Sequence, residues 1–311
     1  MRICAAADIH YPRGGEQWSA SLAHEMCASG ADVIVLAGDI SAGPDERYHR
    51  LLGWFSDFPG PKLFVCGNHD LWQVDGRMDT QTRYHSDMRE LVQKLGFHYL
   101  PGSPIVIDGV GFVGGTGWYD YSFRQTSPPV PNLRVTPMRV SPRRKQPDLV
   151  PINGRSDITW QDLTEDDYAG KALVWRINSE HNSLIWNDAV YTDWRAEDAA
   201  VARRLADEIA ADATDVSSKA DYLVGISHFV PWSELADEST SDVSAAYCRA
   251  YSGAAVLGEV FAGEPKFGLV LCGHHHRQRV IQVGSIVAAN CSVGEQDAGP
   301  LVLTVPQGAK A

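Results

Sequence analysis

The sequence predicts a layered α/β protein. Three observations predict it: apolar runs of strand length alternate with segments of helical period from the first residues onward, five of those runs break off in polar motifs, and 44% hydrophobic against 21% charged residues in a chain of 311 leaves ample material for a large core.

Ile3 to Ala7 is the first strand-like run. Trp18, Leu22 and Met26 recur every four residues and stop at Gly30, the pattern of an amphipathic helix closed by glycine. Val33 to Ala37 reads as a buried strand, Leu51, Leu52 and Phe55 as a helix, and Leu63 to Cys66 as the next strand. Met88, Leu91, Val92 and Leu95 mark a further helix ending at Gly96, and an apolar run from Ile105 to Val113 follows. The alternation then breaks, to resume with a helix over 196–213 and a strand from Tyr222 to Ile226. From Phe267 onward the runs at 267–272, 279–283, 285–290 and 301–305 are separated by short turns, which predicts an antiparallel closing segment.

The interruption, at about 119–195, reads as an insertion into a single domain spanning 1–311. Between positions 124 and 155 stand Arg124, Arg134, Arg139, Arg143, Arg144, Lys145 and Arg155 against one acid, Asp148, with seven prolines. Such a stretch fits a solvated loop or a subsite for substrate phosphate, because a guanidinium fork holds two phosphate oxygens at once; Arg124, Arg134, Arg139 and Arg155 are the candidates. Trp160, Trp175, Trp186 and Trp194 carry too much aromatic surface for a free linker. They are expected to form the insertion's own small core, with a stacking platform for a nucleobase as the other reading.

Lys and Arg total 27 against 39 Asp and Glu, a formal charge of -12 that repels nucleic-acid backbones and anionic membranes. Nucleic acid is therefore not an expected partner. A site holding divalent cations would still attract one small phosphorylated substrate, since bound metals dominate the local field. The six cysteines have no close-pair spacing, and Cys4, Cys66 and Cys272 sit inside apolar runs, as reduced core residues do. Met1 to His10 lacks a charged region followed by an apolar one, and no apolar run approaches bilayer-spanning length. The expectation is a cytoplasmic protein with no membrane partner.

Five short motifs each follow directly on a strand-like run, at the carboxyl end where ligand sites of α/β sheets collect. They are Asp8-Ile9-His10, Gly38-Asp39, Gly67-Asn68-His69-Asp70, Ser227-His228 and Gly273-His274-His275-His276. On an extended segment Asp8 and His10 would point the same way and could grip one ion; His274 and His276 repeat that spacing, and His275 would face away as a supporting or surface residue. Glycines before Asp39, Asn68 and His274 allow a sharp exit from the strand. Carboxylate, amide and imidazole ligands favour Mn, Fe, Zn, Co or Ni over Ca. A lone Asp or His at a strand end is ordinarily a satisfied structural residue, but five such motifs in order are not.

With these residues the sequence closely resembles the calcineurin-like metallophosphoesterase family, whose pattern D-x-H, G-D, G-N-H-(D/E), H, G-H-x-H is met in full between positions 8 and 276. The resemblance implies a four-layer α/β/β/α sandwich with a cap-like insertion and a pair of divalent metal ions. Asp8, His10 and His276 would hold one ion, Asn68, His228 and His274 the other, and Asp39 would bridge them. His69 would be the catalytic imidazole, protonating the departing alkoxide, and Asp70 would act with it by orienting the loop. A hydroxide shared by the two ions would be the nucleophile.

Two departures bear on the substrate. Protein phosphatases of this superfamily continue the second motif with Asp-Arg-Gly, where this chain reads Gly38-Asp39-Ile40-Ser41-Ala42-Gly43, and end the third in Glu, where it has Asp70. A phosphoprotein is disfavoured, and the expected reaction is hydrolysis of a small phosphorylated metabolite or nucleotide, as a monoester or a diester. Gly114-Gly115-Thr116-Gly117-Trp118 resembles a glycine-rich turn on the substrate side. The rival readings are a non-catalytic metal-binding scaffold, which would ordinarily have lost ligands, and a nuclease, whose basic groove only residues 124–155 could supply.

Overall fold

A computed structural model describes residues 1–73, 78–141, 148–177, 180–236, 239–294 and 298–306. Arg143, Arg144 and Lys145 lie outside the described residues. In chain order the strands are β1 (Arg2–Ala6), β2 (Val33–Ala37), β3 (Lys62–Val65), β4 (His98–Tyr99), β5 (Ile105–Ile107), β6 (Val110–Gly115), β7 (Arg134–Val140), β8 (Leu149–Pro151), β9 (Ile158–Thr159), β10 (Lys171–Ile177), β11 (Glu180–Ile185), β12 (Tyr222–Ser227), β13 (Phe267–Cys272), β14 (Arg279–Val283), β15 (Ile286–Asn290) and β16 (Leu301–Thr304).

Two sheets carry the fold. One runs β16-β1-β2-β3-β4, parallel except for β16, and the other β14-β15-β13-β12-β6-β5, with its four central strands parallel and both edges antiparallel. Side-chain alternation sorts each strand between two cores. Ile3, Ala5, Val33, Val35, Leu63 and Val65 meet Val110, Phe112, Val224, Ile226, Leu269 and Leu271 between the sheets. Their neighbours Cys4, Ala6, Ile34, Leu36, Phe64, Val113, Leu223 and Val270 face outward, into the core formed with the helices.

Burial on both faces is why these strands read as continuous apolar runs rather than alternating ones. Helix Glu16–Ala28 buries Leu22, Ala23 and Met26, and Asp45–Gly53 buries Tyr48, Leu51 and Leu52, on the side of the first sheet. Asp198–Ser217, packed on β6, and Ala255–Gly263, packed on β13, cover the second. The layers are therefore α/β/β/α.

Three details differ from the sequence expectation. The run from Ile105 to Val113 is a hairpin, because Asp108 and Gly109 both adopt positive φ (46° and 76°) and turn the chain back between β5 and β6. The closing segment is only partly antiparallel: β13 lies parallel to β12 and β15, and β16 crosses to pair with β1. Residues 134–185 form their own antiparallel sheet, β11-β10-β7-β8 with β9 also on β7, yet Trp160, Trp175 and Trp194 are buried in the same continuous core as the helix-covered face of the main sheets. What this sheet buries separately is a small cluster of Met138, Val140 and Ala172.

All six cysteines are free. Among the described residues no helix is long and apolar enough to cross a membrane.

Candidate metal centre

The motifs leave the carboxyl ends of β1, β2, β3, β12 and β13, and the backbone there is contorted. Asp8, His10, Asp39, His274 and His276 all have positive φ (58°, 49°, 52°, 73° and 49°). For residues with a Cβ this left-handed region costs roughly 1 kcal/mol or more each. The expected extended geometry is therefore wrong in detail: Asp8 converges with His10, and His274 with His276, through left-handed turns and not through strand alternation.

Two glycines make the close approach possible. A Cβ on Gly38, at φ 90°, would lie 2.5 Å from Gly67 N and 2.7 Å from His228 Nδ1, and one on Gly67 would overlap Asp39 Oδ1.

The side chains that could hold a metal form overlapping groups, Asp8 with His10 and His276, Asp39 with His228 and His274, and between these two donor sets His10 with Asp39 and His69. In the first, His10 Nε2 and His276 Nε2 are 3.0 Å apart, and Asp8 Oδ1 lies 3.8 and 3.5 Å from them. In the second, His228 Nε2 lies 3.4 Å from Asp39 Oδ2 and 3.3 Å from His274 Nδ1. Asp39 Oδ2 is also 3.8 Å from His10 Nε2, so one carboxylate oxygen faces both sets. Donors about 2.1 Å from a single ion stand about 3.0–3.5 Å from one another at tetrahedral or octahedral angles. The observed spacings are near that range.

The hydrogen bonds fix which atoms face inward. His228 Nδ1 is 3.0 Å from the carbonyl of Ala37, and His274 Nε2 is 3.1 Å from that of Tyr251. A carbonyl only accepts, so these nitrogens carry protons, and His228 Nε2 and His274 Nδ1 are the atoms left facing inward, towards each other. Asp8 uses Oδ2, which accepts from His274 N–H (2.9 Å) and lies 2.5 Å from Ser292 Oγ, while its Oδ1 is buried without a hydrogen-bond partner. Asn68 Oδ1 is buried and unpartnered in the same way. Orphaned acceptor oxygens are unfavourable in a protein interior unless a cation lies among them, so the residues present fit a metal centre.

The electrostatics agree. Burial holds His10 down to about 4 and His274 well below its ordinary value, keeping both rings neutral and able to donate a lone pair. For His228 burial works the same way, but the Asp39 carboxylate outweighs it and lifts the ring to about 9. Asp39 in turn is held well below the usual carboxylate range, against its burial, by His228, His69 and His10. The field between these groups favours positive charge.

Asp70 is fully buried and turned away from the donor sets. It accepts hydrogen bonds from the N–H groups of Asp39 (2.8 Å), Gly67 (2.8 Å) and Ser41 (3.2 Å) and from Tyr48 Oη (3.0 Å), tying the second motif to the third; burial and the Asp39 charge push its carboxyl up to about 7. His69 borders the site, its Nε2 3.9 Å from Asp39 Oδ2 and its ring stacked on Trp72 at 3.6 Å. Its own N–H donates to Asp39 Oδ1 at 2.8 Å.

Beside these groups lies a cleft of about 990 Å³. Asp39, Asn68, His69, His274 and His276 line it together with Trp186, Arg249, Arg277 and Arg279; His275, expected to face away, lines it too. Arg124, Arg134, Arg139 and Arg155 do not. Arg124 pairs with Glu165, Arg134 with Asp157 and Arg155 with Asp167, and Arg139 lies on β7 opposite Lys171 and Val150. Gly114–Trp118 also stays out of the cleft: Thr116 O accepts from the N–H groups of His228 and Phe229, so this turn backs the fourth motif.

Sequence reasoning missed Asp188, which is fully buried and accepts hydrogen bonds from Asn68 Nδ2 (2.9 Å), Trp72 Nε1 (2.7 Å) and Trp186 Nε1 (2.9 Å). No local signal marked it. The cleft arginines had one, since Arg277 and Arg279 follow directly on the last motif.

Comparison with known proteins places these features. A sequence profile described as calcineurin-like phosphoesterase matches residues 1–278. A phosphopantetheinyl hydrolase of Mycobacterium tuberculosis is similar in structure, with a TM-score of 0.60 and 15% identity over 94% of this chain and 89% of that one. A dimetal phosphatase of Danio rerio superposes with a TM-score of 0.47 and 11% identity over 94% and 86%. The Gene 66 protein of Mycobacterium phage L5 is 46% identical over 39 residues, which are 12% of this chain and 19% of that relative's length.

Proposed function

Because this chain belongs to the calcineurin-like phosphoesterase family, we propose that it hydrolyses a small phosphorylated molecule, as a monoester or diester, at a two-ion centre. The carrying observation is Asp39 Oδ2, which stands 3.8 Å from His10 Nε2 and 3.4 Å from His228 Nε2 and so belongs to both donor sets. Asp8, His10 and His276 would hold one ion, Asn68, His228 and His274 the other, and Asp39 would serve both. When bound, the pair supplies Lewis acidity, lowering the pKa of a coordinated water and drawing charge from the phosphoryl oxygens.

The chain's own groups do the rest. His228 and His274 are locked by backbone carbonyls in the tautomers that ligation needs. His69, at the edge of the cleft and held by its stack on Trp72, is placed to pass a proton to the leaving oxygen. A cleft of about 990 Å³ suits a small molecule. Of the basic segment that would suit a nuclease, the described residues Arg124, Arg134, Arg139 and Arg155 do not line the cleft, which favours the small-molecule reading.

The test is hydrolysis of nitrophenyl phosphate and bis-nitrophenyl phosphate by protein loaded with Mn, Fe, Zn, Co or Ni. A rate that rises with bound metal is expected; a folded, metal-loaded protein with no metal-dependent rate on either ester, or on a panel of nucleotides and sugar phosphates, is a scaffold and overturns the reading.

A further inference from the structure

The histidines of the centre are held in two different ways. His228 and His274 are each tied by a ring nitrogen to a backbone carbonyl. Among the described residues no hydrogen bond reaches the ring of His69: its Nε2 stands 3.9 Å from Asp39 Oδ2, and the 2.8 Å bond to Asp39 comes from the His69 backbone N–H. An imidazole turns about two side-chain bonds, the second with a broad preference, so such a ring is oriented by packing. The packing is specific. The His69 ring lies on the indole of Trp72 with centroids 3.6 Å apart and 26° between planes, and it meets His10 edge-on at 4.6 Å.

Trp72 is gripped in turn by one short helix, Asp188–Tyr191, from the 119–195 segment. Asp188 Oδ1 accepts from Trp72 Nε1 at 2.7 Å, 116 positions away in the chain. The Tyr191 ring packs on the indole at 4.9 Å, tilted by 31°, and the Tyr191 carbonyl accepts from the N–H of Gln73 at 3.0 Å. A polar, an aromatic and a backbone contact thus fix the plane on which the imidazole rests.

We propose that Trp72 is a positioning residue for proton transfer, clamped by Asp188 and Tyr191, so that the 119–195 segment governs protonation of the leaving group. The inference rests on the reading of His69 as the proton donor and adds what holds that donor, through residues outside the five motifs. A donor must come within about 2.6–3.2 Å of the oxygen it protonates, and a misplacement of about 1 Å can cost 10²-fold. A ring freed to rotate would donate poorly even though the metal ligands keep their own supports.

Kinetics of Trp72→Leu and Trp72→Phe on an alkyl and a nitrophenyl ester test this, as monoesters or diesters according to which the wild type hydrolyses. Trp72→Leu is expected to lower kcat on the alkyl ester about 10- to 100-fold, with KM and metal content nearly unchanged and a much smaller loss on the nitrophenyl ester. Asp188 keeps its bond to Asn68 Nδ2 in this variant. Trp72→Phe retains an aromatic face and should recover part of the rate; Tyr191→Ala should show the same selective loss, reduced in size. In a His69→Ala background Trp72→Leu should cost nothing further, because the two residues act as one unit.

Equal losses on the two esters, or a full additional loss in the His69→Ala background, overturn the proposal and leave Trp72 as packing. A readout independent of turnover is the magnetic resonance of the His69 ring protons in zinc-loaded protein. The indole ring current should displace them upfield, and Trp72→Leu should return them towards the free imidazole position. Signals indifferent to Trp72 overturn the clamp. Signals that respond to it in a protein that hydrolyses no ester overturn the phosphoesterase reading, while the clamp on the ring stands.

Discussion

Asp188 Oδ1 accepts a hydrogen bond from Asn68 Nδ2 at 2.9 Å, and this contact joins the insertion to the metal centre. A carboxylate can only accept, so it takes the amide's NH₂ and leaves Asn68 Oδ1 as the atom that faces inward. The same oxygen receives Trp72 Nε1 at 2.7 Å, and Trp72 carries the His69 ring. Asp188→Ala should leave three N–H donors without an acceptor, the buried amide of Asn68 and the half-buried indoles of Trp72 and Trp186, at about 1–3 kcal/mol for each that finds no water. Affinity for the ion held by Asn68 should fall about 10- to 100-fold, with the other ion less affected. Metal titration of the apoprotein by calorimetry checks this; two unchanged affinities would remove Asp188 from the centre.

Asp39→Ala should weaken both ions together, because Oδ2 faces both donor sets. Metal content after dialysis is the measurement, and retention of two tightly bound ions would contradict the shared role.

His69→Ala should spare metal binding and lower kcat by about 10²- to 10⁴-fold on alkyl phosphates, whose leaving group needs a proton. Nitrophenol leaves without one, so its ester should lose less. Equal losses on the two esters would argue against proton donation.

Gly67→Ala puts a methyl group onto Asp39 Oδ1. Overpacking of this kind costs about 1–3 kcal/mol and displaces the carboxylate, so denaturation of the metal-free protein should show lower stability and both metal affinities should fall.

Asp70→Asn offers one acceptor oxygen and an NH₂ to a pocket built from three N–H donors and a Tyr48 hydroxyl. At least one donor must lose its partner, for a loss of about 1–3 kcal/mol in chemical denaturation. Unchanged stability would mean that Asp70 does not tie the two loops.

Much of this was legible in the sequence, and the reason is local. The strands from Ile3, Val33, Leu63, Tyr222 and Phe267 are buried on both faces, so their apolar runs needed no partner to be read, and the polar residues that end them could be read the same way. Harder to read was anything set by contact across the chain. The hairpin at Asp108-Gly109 hides inside one apolar run because the turn pair is short. Asp188 carries no motif, and its role exists only once Asn68 and Trp72 are folded against it. The basic residues of segment 119–195 suggested phosphate by composition alone; in three dimensions Arg124 and Arg155 pair with Glu165 and Asp167 of the same segment, and the arginines that line the cleft, Arg249, Arg277 and Arg279, lie outside it.

The tryptophans of the insertion share the principal core, with Trp160, Trp175 and Trp194 packed among residues of the main layers. The segment is therefore no detachable accessory. Any excision or exchange of residues 119–195 would open the hydrophobic interior to water, and a chimera carrying a foreign insertion must replace both those three indoles and the acceptor that holds the amide of Asn68.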